Sequence, residues 1–173
     1  MNSNKKITIG ISACLLGEPV RYDGGHQLDH ALVQVLLPRA TLITICPEVE
    51  CGFGVPRPTR RLEGDPHAPR MVTVEEGVDD TERFMAWGNK RLVELAHVDG
   101  YILKARSPSC GLKVAVHQRN GEVVSWVGRG LFAMLVQNQS PSHGGQSIPL
   151  LAESEALQKG DALETFLKQL AGG

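Results

Sequence analysis

The sequence has no Cys-x-x-Cys pair, no long apolar run, no excess of charge of one sign, no internal repeat and no low-complexity tract. Each absence removes a class of function. Without cysteines paired at that spacing, neither a zinc ribbon nor a thioredoxin-type redox motif is signalled. A membrane helix needs about 20 consecutive apolar residues, and no stretch approaches that length. With 18 basic against 19 acidic residues and a formal net charge of -1, the chain lacks the broad positive footprint that nucleic acid or an anionic membrane attracts. Polar residues from Met1 to Lys6 lead straight into an apolar strand with no small-residue cleavage site, so no signal peptide is expected and the expected compartment is the cytoplasm. Reduced thiols prevail there, and the four cysteines are not expected to form disulfides.

What is present reads as ordinary globular material, 42% hydrophobic and 21% charged over 173 residues, enough for one domain spanning 1–173. Lys6 to Ser12 is rich in β-branched residues and predicts a central strand. Leu28, Leu32, Val35 and Leu36 share one face of a helix that Pro38 ends. Thr41 to Ile45 predicts a second strand. From Gly52 to Pro69 the density of Pro, Gly and Arg predicts a long irregular loop folded over a site.

Asp79 with Glu82 resembles a capping box opening a helix with Phe84, Trp87, Leu92 and Leu95 on its buried face. A third strand, Tyr101-Ile102-Leu103, follows. Then comes a hairpin-like excursion, Val114 to Val116 and Val123 to Trp126, about an Asn120-Gly121 turn. A helix over Gly130–Gln137, a loop over Ser140–Gln146, a strand over Ile148–Leu151 and a helix over about 161–171 complete the chain. The alternation of strands and helices predicts an α/β fold: a three-layer, mainly parallel, Rossmann-like sheet carrying the excursion.

Three of the predicted strands run into a cysteine beside turn-forming residues, at Cys14, at Cys46 and, through Arg106-Ser107-Pro108-Ser109, at Cys110. A lone cysteine is ordinarily a small core hydrophobe. Three at equivalent strand ends are a different matter, because parallel sheets bind ligands beyond the carboxyl ends of their strands. The expectation is that topology gathers these thiolates around one metal centre.

Several of these segments resemble the thiouracil desulfurase family, small bacterial iron–sulfur proteins. The matching pieces are Ser12-Ala13-Cys14-Leu15-Leu16-Gly17, Arg21-Tyr22-Asp23-Gly24, Cys46-Pro47-Glu48-Val49, Gly54-Val55-Pro56-Arg57-Pro58, Gly77-Val78-Asp79 with Thr81, and Leu103-Lys104 through Ser107-Pro108-Ser109-Cys110-Gly111. They span about residues 6–155 in family order. The resemblance implies a [4Fe-4S] cluster on Cys14, Cys46 and Cys110 with one open iron that takes the sulfur of a thiolated pyrimidine such as 2-thiouracil. The implied reaction is non-redox, giving uracil and sulfide, with a small thiolated heterocycle as the partner and no role for nucleic acid or membrane.

Such chemistry needs a base for water and a proton donor. The resemblance points to Glu48 and to the Ser107-Pro108-Ser109 segment, Ser107 before Ser109. The plainer readings are a solvated carboxylate at 48 and serines that only satisfy a turn. Cys51 stands five residues from Cys46, close enough to replace it or complete a fourth ligand; the family motif uses the cysteine before Pro-Glu, so Cys51 is left out. Full ligation through Cys51 would instead suit a non-enzymatic electron-transfer or sensing module, and a structural zinc site is a third reading. Arg57, Arg60 and Arg61 read as a solvated loop surface or as steering charges. The scattered histidines have no metal-ligand spacing, and the oligomeric state has no signal in the sequence.

Overall fold

A computed structural model describes residues 6–139, 147–158 and 160–172. The loop expected over Ser140–Gln146 lies outside the described residues. Strand β1 (Ile7–Ser12) runs into a 3₁₀ turn (Ala13–Leu16); helix α1 (His30–Leu36), strand β2 (Ala40–Ile45) and a one-turn helix α2 (Pro47–Glu50) follow. Strands β3 (Arg60–Asp65) and β4 (Ala68–Thr73) precede the long helix α3 (Thr81–Glu94) and strand β5 (Gly100–Leu103). Strands β6 (Val114–His117) and β7 (Val123–Gly128), helix α4 (Leu131–Asn138), strand β8 (Leu150–Ala152) and helices α5 (Glu153–Gln158) and α6 (Gly160–Gly172) close the chain.

The expected parallel sheet is there, in the order β2-β1-β5-β8, with every pairing parallel. Its side chains alternate between two cores, as the two-residue period of a strand requires. Ile9, Ile11 and Ile102 face Leu32 and Leu36 of α1 and Leu163, Phe166 and Leu167 of α6. Ile45, Tyr101 and Leu103 face Phe84 and Leu92 of α3 and Phe132 of α4. Helices therefore cover both faces, giving the three layers. Trp87 belongs to the second core, its ring 5.4 Å from Phe84 and 6.0 Å from Phe132. The expected capping box is not formed: the N-cap of α3 is Asp80, which makes no side-chain capping bond, and Asp79 instead accepts from both the N–H and the hydroxyl of Thr81 (3.0 and 2.6 Å).

One further expectation needs correction. The irregular loop ends at Thr59, because residues 60–73 form the antiparallel pair β3–β4. Pro69, which argued for a loop, sits in β4 at the edge of its sheet, where a missing N–H breaks no ladder. The hairpin-like excursion is present as the antiparallel pair β6–β7; β6 also pairs parallel with β3, making a second, mixed sheet in the order β4-β3-β6-β7. Among the described residues no helix is long and apolar enough to cross a membrane.

Candidate active site

Sheet order fixes where the site lies. β1 has β2 on one side and β5 on the other, so successive connections leave it in opposite directions and open a crevice at the carboxyl ends of these strands. A cavity of about 450 Å³ occupies that crevice. Cys14 lies in the 3₁₀ turn after β1, Cys46 directly follows β2, and Cys110 sits in the loop after β5. All three line the cavity, together with Glu48, Ser107 and Ser109.

Cys51 does not. The turn of α2 separates it from Cys46, and it is buried in the core formed with Phe84 and Leu131, outside the residues that line the cavity. Pro47 at the first helical position starts that turn without losing a useful N–H. The backbone N–H groups of Val49 and Glu48 are then directed at the Cys46 sulfur.

The loop that carries Cys110 is held from several directions. Lys104 N–H donates to Ser12 Oγ (2.9 Å), and Gly111 N–H turns back to Ser107 O (2.8 Å). The first N–H groups of α4, which have no partner inside their helix, reach across to the loop: Leu131 to Pro108 O (3.1 Å) and Phe132 to Ser109 O (2.8 Å). Gly130 packs so closely that a Cβ there would lie 2.6 Å from the Ser109 carbonyl. At Gly111 a Cβ would fall 2.9 Å from Ser107 O. Glu153, at the start of α5, ties the loop to β8 through Lys104 Nζ (2.5 Å) and through Ala105 N–H. Arg106, exposed and lining the cavity, has a left-handed backbone with φ of 61°, a conformation costing about 1–3 kcal/mol for a side-chain-bearing residue.

Glu48 is not a solvated loop carboxylate. It is buried, and both oxygens are engaged: Oε2 accepts from Arg57 Nε (2.7 Å) and Oε1 from Ser109 Oγ (2.9 Å). Ser109 Oγ lies 2.8 Å from Ser107 Oγ. A serine has one hydroxyl proton, and that of Ser109 goes to Glu48, so Ser107 donates to Ser109. Ser107 Oγ in turn accepts from the N–H groups of Ser109 and Cys110 (3.3 and 3.2 Å). The result is a directed chain from half-buried Ser107 through fully buried Ser109 to Glu48. Ser107 also satisfies the turn about Pro108, as the plainer reading of these serines holds.

Burial pushes the Cys14 thiol up to about 11, opposed chiefly by the Lys104 ammonium and reinforced by Cys46. Burial pushes the Cys110 thiol up to about 12, opposed by a hydrogen bond from Ser12 and reinforced by Cys46. Cys46 is raised by the same cause. These thiols sense one another and are each costly to ionise alone, and thiolates are what metals bind. A donor set of this kind fits a group that brings several positive irons to it. Among the described residues no three Cys, His, Asp or Glu side chains are grouped as the ligands of one metal ion. A single zinc would draw its sulfurs to about 3.8 Å apart, given bonds of about 2.3 Å, whereas a cluster spreads its thiolates over separate irons.

The sequence reading missed the arginines. Arg57 and Arg60 are no solvated surface: their side chains are 5% and 7% exposed. Arg57 pairs with Glu48, while Arg60 pairs with Asp80 (2.8 Å) and lies 3.7 Å over the Phe53 ring. No spacing rule links position 57 to position 48; Pro on both sides of Arg57 was the only local sign of a fixed backbone. Asp23 accepts from Gly25 N–H (2.9 Å) as an Asx turn.

The family model for 2-thiouracil desulfurase matches residues 9–148. A solved structure, the [4Fe-4S]-dependent thiouracil desulfidase TudS, is 32% identical and superposes with a TM-score of 0.68, covering 92% of this chain and 99% of that one. No curated protein matches the chain. The matched segment takes in all three cavity cysteines together with Glu48, Ser107 and Ser109, and the chain belongs to the 2-thiouracil desulfurase family.

Proposed function

We propose that this enzyme hydrolytically desulfurates 2-thiouracil, with Cys14, Cys46 and Cys110 holding a [4Fe-4S] cluster and Glu48, Ser109 and Ser107 handling the protons. The observation that carries the reading is the Ser107–Ser109–Glu48 chain, running from half-buried Ser107 to buried Glu48, in the same cavity as the three thiols. The overall change replaces C=S by C=O: water supplies the oxygen and two protons, sulfide leaves with them, and nothing is oxidised or reduced. When bound, a cluster with three protein ligands supplies a soft Lewis acid that prefers sulfur to oxygen.

The chain's own residues supply the rest. Glu48, acceptor-only while ionised, is the terminal base. Ser109 already donates to its Oε1, and Ser107 donates to Ser109, so a proton entering at Ser107 Oγ shifts along both hydroxyls to the carboxylate. The same chain run backwards returns a proton to the departing sulfur or the ring, as acid–base catalysis by one group in two steps requires. Arg106, Tyr22 and Arg21 border the cavity and bound the space for the heterocycle.

Anaerobic incubation of the iron–sulfur-loaded protein with 2-thiouracil and no reductant tests the reading, with uracil and sulfide quantified separately. Equal amounts of both, over many turnovers, are expected. Unchanged 2-thiouracil beside an intact cluster would falsify it.

A further inference from the structure

We infer that Arg57 is the positioning residue of the site: it acts through Glu48, holding that carboxylate so that Oε1 meets Ser109. This rests on Glu48 being the base. The geometry is specific to a guanidinium. Nε donates to Glu48 Oε2 at 2.7 Å, while Nη1 donates to Val20 O at 2.9 Å and to Gly54 O at 3.0 Å. The Arg57 backbone N–H is also fixed, donating to Tyr22 O at 2.9 Å. One side chain thereby joins three separate pieces of the cavity wall: the loop after the 3₁₀ turn, the residues following α2, and α2 itself.

Two consequences follow from the atoms. Glu48 has two carboxylate oxygens, and Arg57 takes one of them. That leaves Oε1 for Ser109 and fixes the rotation of the carboxylate plane, so the proton path ends on one defined oxygen. Arg57 also meets Glu48 from a backbone that its flanking prolines, Pro56 and Pro58, restrict. The anchor is therefore stiffer than the group it aims. Lysine cannot replace it, because a single ammonium on a flexible stem does not reproduce a planar fork reaching three acceptors. Arg57 also borders the cavity, but its Nε and Nη1 are committed to protein acceptors and its side chain is only 5% exposed, which separates it from the exposed Arg106 at the same cavity.

The test is a double-mutant cycle on the loaded enzyme, with Arg57→Lys, Arg57→Gln, Glu48→Gln and the doubles, each checked for iron and sulfide content. A reacting group displaced by about 1 Å loses on the order of 100-fold in rate. Arg57→Lys is expected to lower kcat by about that factor, with KM for 2-thiouracil within about twofold. The Glu48→Gln/Arg57→Gln double is expected to be no slower than Glu48→Gln alone, because a residue that acts through Glu48 has nothing left to aim. Melting temperatures of the cluster-free proteins over the same cycle give a second readout, and the two substitutions are expected to be non-additive there as well.

Several outcomes overturn the inference. Wild-type kcat in Arg57→Lys does so, as does a double variant in which the two losses multiply. Loss of the cluster in both Arg57 variants also does so, since the residue would then be building the site rather than aiming a carboxylate. Wild-type kcat in Glu48→Gln is the separate signature that the base assignment itself is wrong.

Discussion

The two sheets of this protein use similar strands to different ends. The parallel sheet has β5 buried along its whole length, and the carboxyl ends of its strands carry all three cavity cysteines. The mixed sheet contributes only Arg60, the first residue of β3, to the cavity lining. Its edge strand β7 leaves Trp126 and Val127 73% and 74% exposed. The difference follows from connectivity. Parallel strands return their connections to the same rim, so residues distant in sequence meet there; antiparallel pairs hand the chain straight back. The mixed sheet instead braces the site from below, through the Leu62, Met71 and Val116 side chains that join the core under α3 and α4.

The same contrast recurs on a smaller scale across α2. Cys46 and Cys51 flank one helical turn, yet the first faces the cavity and the second the core. Chemistry sits on one side of the turn and packing on the other.

Substitutions along the cavity rim test this division most severely. Replacing Cys14, Cys46 or Cys110 by Ala is expected to abolish cluster retention and all turnover, read as iron and acid-labile sulfide per chain after anaerobic reconstitution. Retention of the full complement by any of the three would remove that residue from the ligand set. Next in size is Glu48→Gln, which keeps the shape but not the basicity. Loss of a general base of this type costs about 10²–10⁴-fold, so kcat is expected to fall by that range with iron content unchanged; a wild-type rate would take Glu48 out of the mechanism.

A substitution in the wall behind the loop is expected to be intermediate. In Gly130→Ala the new methyl meets the Ser109 carbonyl at 2.6 Å, and overpacking of this kind costs about 1–3 kcal/mol. Chemical denaturation should show that loss, accompanied by slower turnover because the displaced residue is Ser109. Unaltered stability would mean that α4 and the loop separate more easily than their hydrogen bonds imply. The smallest effect belongs to the other sheet. Trp126→Ser on exposed β7 is expected to leave turnover untouched and to move stability by less than about 0.5 kcal/mol. A large loss of activity there would break the division between the two sheets.

Much of this architecture was legible in the sequence for identifiable reasons. β1 and β2 are short runs rich in β-branched residues, β5 carries the apolar run Tyr101-Ile102-Leu103, and α3 and α6 carry one clear apolar face each. The arrival of three cysteines at one rim followed from strand order, without any local spacing motif. β3 and β4 were hidden because Gly64 and Pro69 are loop residues by composition; Pro69 is accommodated only because β4 is an edge strand, and Gly64 only through the pairing of β3 with β4. Arg57 and the Glu153 tether were hidden for a deeper reason. They act over 9 and 48–49 residues of chain, and nothing at either end announces the other. Ser109 as the direct partner of Glu48 was equally invisible, since sequence does not tell which of two neighbouring serines points inward.

The central claim is that three cysteines, and not a fourth, hold the cluster. Iron and acid-labile sulfide in Cys51→Ala, measured beside the wild-type protein after the same reconstitution, test it most directly. Cys51→Ala is expected to keep an undiminished content of about four irons per chain and to go on converting 2-thiouracil to uracil. A Cys51→Ala protein that loses its cluster, while Cys46→Ala keeps one, would contradict it.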